Sequence, residues 1–310
     1  MATFERITIL GAGTIGISWA ALFLASGKSV TVYDPSPLVE AKLTSFVKSA
    51  QNALCALGWS YAGSTEKLSF DPHPESAVQG AQFIQESIPE RLDLKHTLYA
   101  DIEPYLTPGT AVATSTSGLT LSSLQQGFKD PSPLIIAHPF NPPHLIPLVE
   151  LMGNTHTDMD LLQQAELLYQ SLGKQTIRLN KEVTGHIANR LQAALWRECI
   201  HLLKEDVASL ADIDKAVTFG PGLRWAALGP SSLFHLGGGE GGIAEFCQHI
   251  GPPMQSWWND LGQPTLDAST QQLLVEGMRE ITAQTPTRQL KIKRDQLIIE
   301  YLKVQQLLSE

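Results

Sequence analysis

Ile7-Thr8-Ile9-Leu10-Gly11-Ala12-Gly13-Thr14-Ile15-Gly16, followed by the apolar run from Ile17 to Ala25, decides the fold. The β-branched start reads as a short strand, and Ile15 to Ala25 has helical content. Between them Gly11, Gly13 and Gly16 match G-x-G-x-x-G. The first glycine permits a tight turn, the second lets the backbone approach a pyrophosphate, and the third allows close packing of helix on strand. The helix start then offers free N–H groups and a partial positive charge to phosphates. Val30-Thr31-Val32-Tyr33 is the next strand, and Asp34 ends it 18 positions past Gly16. A carboxylate there accepts hydrogen bonds from ribose hydroxyls. Pro35-Ser36-Pro37 follow, with no arginine beside Asp34 to neutralise a 2′-phosphate. The pattern predicts NAD rather than NADP, bound by Gly11, Gly13, Thr14, Ile15, Gly16 and Asp34.

The same alternation continues outward. Strands are expected at 82–86, 111–113, 134–137 and 175–179, and helices at about 37–57, 92–102 and 159–172. Strands alternating with helices imply a parallel, doubly wound sheet covered on both faces. After about Thr184 the strand signal stops. Ile187 to Val207 reads as one long helix, and a second is expected from Asp212, as N-cap, towards Phe219. A Gly/Pro-rich stretch spans Gly220 to Gly242, and an amphipathic helix is expected from about Arg288. The fold class is therefore α/β, a Rossmann-type domain over 1–183 followed by an all-helical domain over 184–310. Gly237-Gly238-Gly239-Glu240-Gly241-Gly242 follows no strand and lacks the Lys and Ser/Thr of a phosphate loop, so it reads as a flexible turn.

The 310 residues are 43% apolar and 17% charged, a composition for a packed core and not for disorder. Twenty-two Lys and Arg against 31 Asp and Glu leave a net charge of −9, which argues against nucleic acid or an anionic membrane as partner. The uncharged run from Ile7 to Gly27 has the length of a membrane span, but its glycines fit the strand–turn–helix better. Cys55, Cys199 and Cys247 are too scattered for a disulfide framework or a zinc site, so no metal is expected; they read as buried thiols. The C-terminus, Leu307-Leu308-Ser309-Glu310, is no peroxisomal address, and a cytoplasmic location is the expectation.

His138-Pro139-Phe140-Asn141-Pro142-Pro143 leaves the carboxyl end of the strand-like run 134–137, where open α/β sheets bind ligands. Free imidazole titrates at about pH 6.5, so it can take up and return an alcohol proton. Glu150 ends another apolar segment, Leu145 to Val149; a carboxylate on one ring nitrogen would fix the tautomer and stabilise the imidazolium. Spacing alone leaves open whether the two side chains meet.

These segments resemble the 3-hydroxyacyl-CoA dehydrogenase family. Its H-x-F-N-P then V-E pattern appears as His138 to Pro142 and Val149-Glu150, and its S-N-T-S-S-L segment as Thr114-Ser115-Thr116-Ser117-Gly118-Leu119. Its N-R pair appears as Asn189-Arg190, and its E-x4-K stretch as Glu90 and Lys95. The resemblance implies His138 as general base, Glu150 as its orienting partner, and Ser117 and Asn189 as residues that hydrogen-bond the reacting oxygen or position the substrate. It places Glu90, Lys95 and Ser115 near the nicotinamide, with Ser115 departing from the usual Asn. The implied reaction is NAD-dependent oxidation of an L-3-hydroxy compound.

Within that family, Phe83 to Lys95, Ser115 to Leu119, Ala194 to Glu198 and Phe219 to Trp225 resemble the L-carnitine dehydrogenase branch. The λ-crystallins, which resemble L-gulonate dehydrogenases, share a looser version of the last stretch. The resemblance implies a small free 3-hydroxy acid, carnitine-like first, although Asn189 stands where the carnitine branch often carries Asp. The alternatives are an acyl-CoA thioester, L-gulonate, or a non-catalytic crystallin-like role. Arg224, with Trp225 beside it, suits equally a clamp for a substrate carboxylate and a brace that fixes a loop. Trp225, Phe234, Trp257 and Trp258 suit either a cage for a trimethylammonium group or, the favoured reading, packing and a homodimer interface.

Overall fold

Short β-branched runs pair into an eight-stranded sheet. Its strands are β1 (Arg6–Leu10), β2 (Ser29–Tyr33), β3 (Leu68–Asp71), β4 (Phe83–Glu86), β5 (Ala111–Thr114), β6 (Leu134–Pro139), β7 (Leu148–Met152) and β8 (Gln175–Arg178). The computed structural model describes residues 4–59 and 64–308. The chain divides into two compact units, Met1–Asn189 and Arg190–Glu310.

In the first unit the strand order is β3-β2-β1-β4-β5-β6-β7-β8, parallel throughout except where β7 runs antiparallel to β6. The crossovers include α1 (Thr14–Ala25), α2 (Val39–Ala56), α3 (Pro74–Ala77), α4 (Leu92–Ile102), α5 (Leu121–Gln125) and α6 (Met159–Ser171). Period-two alternation sends side chains to opposite faces. Ile9, Phe83, Ala113, Ile135 and Val149 join Trp19, Phe23 and Tyr169 in one core. Leu10, Ile84, Val112, Ile136 and Met152 join Tyr99, Leu124 and Phe128 in the other. His138 shares the parity of Ile136, and Glu150 that of Met152. Both therefore fall on the second face, at the end of a fully buried strand and beside it.

The second unit contains α7 (Ala188–Lys204) from Arg190 onward, then α8 (Leu210–Phe219), α9 (Pro221–Ala227), α10 (Pro230–Gly237), α11 (Gly242–Asp260), α12 (Ala268–Gln284) and α13 (Thr287–Leu307). Its buried apolar residues are few, among them Ile200, Leu210, Ile213 and Ile299.

Several local expectations need correction. The sheet is not wholly parallel, because β7 folds back on β6 as a hairpin partner, and β3 carried too weak an apolar signal to be read. The cap of α8 is Ser209, whose hydroxyl accepts from the Asp212 N–H three residues on; Asp212 lies inside the first turn. The stretch 220–242 is largely helical, since Pro221 and Pro230 each occupy a first-turn position where their fixed φ suits a helix. Gly239–Gly241 is a 3₁₀ turn. Cys55 and Cys247 are exposed and Cys199 is half-buried, so the thiols are free but not core residues.

Candidate active site

The strand order reverses between β1 and β4, so the loops leaving them diverge and open a crevice. A cleft of about 560 Å³ lies there, lined by Gly11, Gly13, Asp34, Ser87, Ile88 and Asp101 among others. A Cβ on Gly16 would stand 1.8 Å from the Gly11 carbonyl oxygen, so only glycine lets α1 approach β1 this closely. A Cβ on Gly13 would meet nothing within 4 Å, leaving that volume free for a ligand. Among the described residues no side chain caps α1, so its first N–H groups face the cleft without a side-chain acceptor. Asp34 accepts from the Ala12 and Ser36 N–H groups, each at 3.0 Å, which fixes its carboxylate and leaves lone pairs for hydroxyl donors. Asp101 adds a second negative charge, so the cleft fits a ribose diol and repels a 2′-phosphate. Glycine cradle, bare helix end and acidic ribose site together fit NAD.

His138 and Glu150 are direct cross-strand partners in the β6–β7 register. Opposed residues of an antiparallel pair share a face, and here Nδ1 of His138 lies 2.7 Å from Oε2 of Glu150. Both are buried, His138 at 5% and Glu150 at 0% exposure. Glu150 Oε1 accepts from the backbone N–H groups of Ile187 (2.9 Å) and Ala188 (3.1 Å). Burial alone would raise the Glu150 carboxyl, but the bonds from His138, Ala188 and Ile187 outweigh it and hold it below the usual carboxylate range. An ionised acceptor on Nδ1 puts the imidazole proton there and leaves Nε2 with its lone pair free.

Ser117 lies on a turn organised by Glu90. Glu90 Oε1 accepts from the Thr116 hydroxyl (2.6 Å), the Ser117 N–H (2.8 Å) and the Gly118 N–H (2.8 Å). Burial would raise this carboxyl too, yet those donors and the Lys95 charge keep it low. Lys95 is buried and directed inward, 2.6 and 2.8 Å from the two oxygens of Glu86 and 3.7 Å from Glu90. Glu86 also accepts from the Tyr99 and Thr114 hydroxyls at 2.8 and 2.7 Å and from the Ile88 N–H at 2.8 Å. The ammonium expected near the cofactor therefore braces the β4 end from within. Ser115 likewise uses its hydroxyl inside the protein, 2.9 Å from both Gln85 Nε2 and Ser87 Oγ.

Residues 6–183 match the family description "3-hydroxyacyl-CoA dehydrogenase, NAD binding domain", and residues 185–266 match "3-hydroxyacyl-CoA dehydrogenase, C-terminal domain". The chain belongs to the 3-hydroxyacyl-CoA dehydrogenase family. It is 43% identical over 299 residues to an L-carnitine dehydrogenase of Streptomyces coelicolor, covering 96% of this chain and 94% of that protein. It is 39% identical to an L-carnitine dehydrogenase of Pseudomonas aeruginosa, covering 96% and 93%. A solved structure described as 5-formyl-3-hydroxy-2-methylpyridine 4-carboxylic acid 5-dehydrogenase, an NAD+-dependent dismutase, superposes with a TM-score of 0.81 at 26% identity, covering 99% of both chains. As a member of the family this chain is an NAD-dependent oxidoreductase acting on a CH–OH group.

Family motifs left three side chains unread. His186 is buried at 2% exposure with its ring 5.0 Å from that of His138; its only sequence signal is a histidine three residues ahead of Asn189. Glu86 could have been suspected as an acid ending a strand. Lys174 is buried, its Nζ bonded to the carbonyls of Pro143 and Ile146 in the loop joining β6 to β7, and it gave no pattern at all. Asn189 lies in the first turn of α7, directly after the Ala188 N–H that holds Glu150.

In the second unit Arg224 and Trp225 lie on α9, both exposed. Trp257 and Trp258 are 57% and 61% exposed, and Phe234 stacks on Phe246 at 4.7 Å. Among the described residues no ring contact joins the four proposed cage members to one another. No group of described residues has the composition of a metal site, and no described helix is long and apolar enough to cross a membrane.

Proposed function

We propose that this dehydrogenase oxidises the 3-hydroxyl of a small, free L-3-hydroxy acid, carnitine-like by preference, with His138 as general base. The observation that carries the reading is the buried His138–Glu150 couple, with Nε2 left as an acceptor at the carboxyl end of β6. Full-length likeness to L-carnitine dehydrogenases supports the substrate class. Bound NAD supplies the hydride acceptor.

The chain's own residues do the rest. The α1 N-terminus and Gly13 receive the pyrophosphate, and Asp34 takes the ribose hydroxyls. His138 Nε2 removes the hydroxyl proton, which makes the carbinol C–H hydridic, and Glu150 stabilises the imidazolium that results. Ser117 and Asn189 donate to the reacting oxygen and restrict its orientation. Glu90 keeps the Ser117 turn in place, while Lys95 and Ser115 act on that end of the site indirectly.

A homodimer belongs to this reading. Trp196, Phe219, Trp257, Trp258 and Val304 are all at least 47% exposed in a unit with little core of its own, the composition a second copy covers. The functional test is NADH formation with L-carnitine, L-gulonate and 3-hydroxybutyryl-CoA in parallel. Turnover of a free acid, abolished by His138→Ala with NAD affinity retained, is the expected result. Turnover of the thioester alone overturns the substrate class, and NAD binding without any turnover favours a non-catalytic role.

A further inference from the structure

His186 carries two locally unfavourable features at once. Its φ is +50°, in the left-handed region that side chains other than glycine rarely adopt. Its Nδ1 is buried and has no hydrogen-bond partner among the described residues, which a protein core normally avoids. An apolar residue would remove the second cost, so stability does not account for a histidine here. Such outliers concentrate at functional sites, and this one lies against the proposed base.

Three contacts converge on one short segment. His186 Nε2 is 3.0 Å from the Thr116 carbonyl oxygen, which can only accept, so that nitrogen carries the proton. The ring meets that of His138 with centroids 5.0 Å apart and planes at 44°. The next two residues, Ile187 and Ala188, give their N–H groups to Glu150. Burial lowers the basicity of His186, and the bond to the Thr116 carbonyl offsets this only in part. A neutral ring does not compete with His138 for the Glu150 charge.

We infer that His186 is a positioning residue that ties the Thr116–Gly118 turn, which presents Ser117, to the His138–Glu150 couple. It sets the separation of base and hydroxyl donor across the reacting oxygen. The inference rests on the reading of His138 and Ser117 given above. The tie joins the β5–α5 turn to the entry to α7, beside the bonds that Ser122 of α5 gives to Glu182 (2.8 and 2.6 Å). Removing it uncouples the turn, which Glu90 still braces, from the entry to α7, so its spacing from the couple is no longer fixed while the couple keeps its own bonds.

The test compares His186→Phe, which keeps a ring without the donor, with His186→Gln, whose amide N–H can reach the same carbonyl. With whichever of the three panel substrates the wild type oxidises, H186F is expected to lose about tenfold to a hundredfold in kcat, the scale of a small misplacement of reacting groups. KM and the NAD dissociation constant should change little. The melting temperature should stay within about 4 °C, since the variant loses one bond and also one orphaned nitrogen. H186Q should recover most of the kcat. Unchanged kcat in H186F, or equal losses in both variants with a fall in melting temperature, overturns the inference.

A second measurement needs no substrate and separates this idea from the functional reading. Imidazole ¹⁵N shifts should show His186 protonated at Nε2, and amide exchange at Thr116–Gly118 should accelerate about tenfold or more in H186F, as expected for a local opening. A proton on Nδ1, or unaltered exchange, rejects the tie even if the enzyme proves active on hydroxy acids.

Discussion

Replacing Glu150 by glutamine keeps the shape of the site and reverses its proton. In the native protein Oε1 accepts two backbone N–H groups, from Ile187 and Ala188, while Oε2 faces His138 Nδ1. An amide has one oxygen. Two fixed backbone donors hold it on the Oε1 side, so the NH₂ group is turned towards His138. Nδ1 must then accept, the imidazole proton moves to Nε2, and the base loses its lone pair. The charge-assisted bond that stabilises the developing imidazolium, worth about 1.5–3 kcal/mol, is lost, and the amide's preference for the opposite tautomer costs about 0.5–1.5 kcal/mol more. Their sum, about 2–4.5 kcal/mol, corresponds to a loss of roughly 30- to 2,000-fold in kcat at about 1.36 kcal/mol per factor of ten. Steady-state NADH formation measures the loss, and imidazole ¹⁵N shifts measure the tautomer. NAD affinity should be unchanged, because Glu150 is remote in sequence and contact from the glycine cradle. A variant within about threefold of wild type, or one whose Nδ1 still carries the proton, would refute the reasoning.

Gly13→Ala should leave the melting temperature of the apoprotein unchanged and raise the NAD dissociation constant tenfold or more, because its Cβ meets no protein atom and enters ligand space. Gly16→Ala should instead destabilise the fold by about 1–3 kcal/mol, since its Cβ collides with the Gly11 carbonyl; equal behaviour of the two variants contradicts the cradle. Asp34→Ala should weaken the preference for NAD over NADP, read as the ratio of kcat/KM values for the two. Lys174 bears on pH dependence: burial pushes its ammonium from 10.5 down to about 7. Between those values the unfolded chain holds a proton that the folded chain has released, so stability rises with pH by up to about 1.4 kcal/mol per pH unit. Below about pH 7 both states hold the proton and the contribution levels off at its minimum. Urea unfolding of Lys174→Met across this range should show that rise removed; an unchanged slope would deny the lysine its role.

Local rules went far in the first unit because its elements are decided locally. The G-x-G-x-x-G turn, the β-branched runs and Asp34 need only neighbours within one βαβ segment to announce themselves. Motif order along the chain likewise brought His138, Glu150, Ser117 and Asn189 into view. The errors fell where tertiary context overrides local preference. The stretch 220–242, read only as rich in Gly and Pro, starts helices, and the thiols of Cys55 and Cys247 face solvent.

From the residues alone follow the fold class, the nucleotide and the chemical types available for proton transfer, since all three depend on short-range geometry and side-chain chemistry. The folded chain decided which of those groups act together. The antiparallel register of β6 and β7 sets His138 opposite Glu150, and a one-residue slip would turn them to opposite faces. Folding also drew Lys95 inward onto Glu86 and brought His186 from 70 residues away to the Thr116 carbonyl. Contacts of that span depend on sheet order and packing, which no stretch of neighbouring residues encodes.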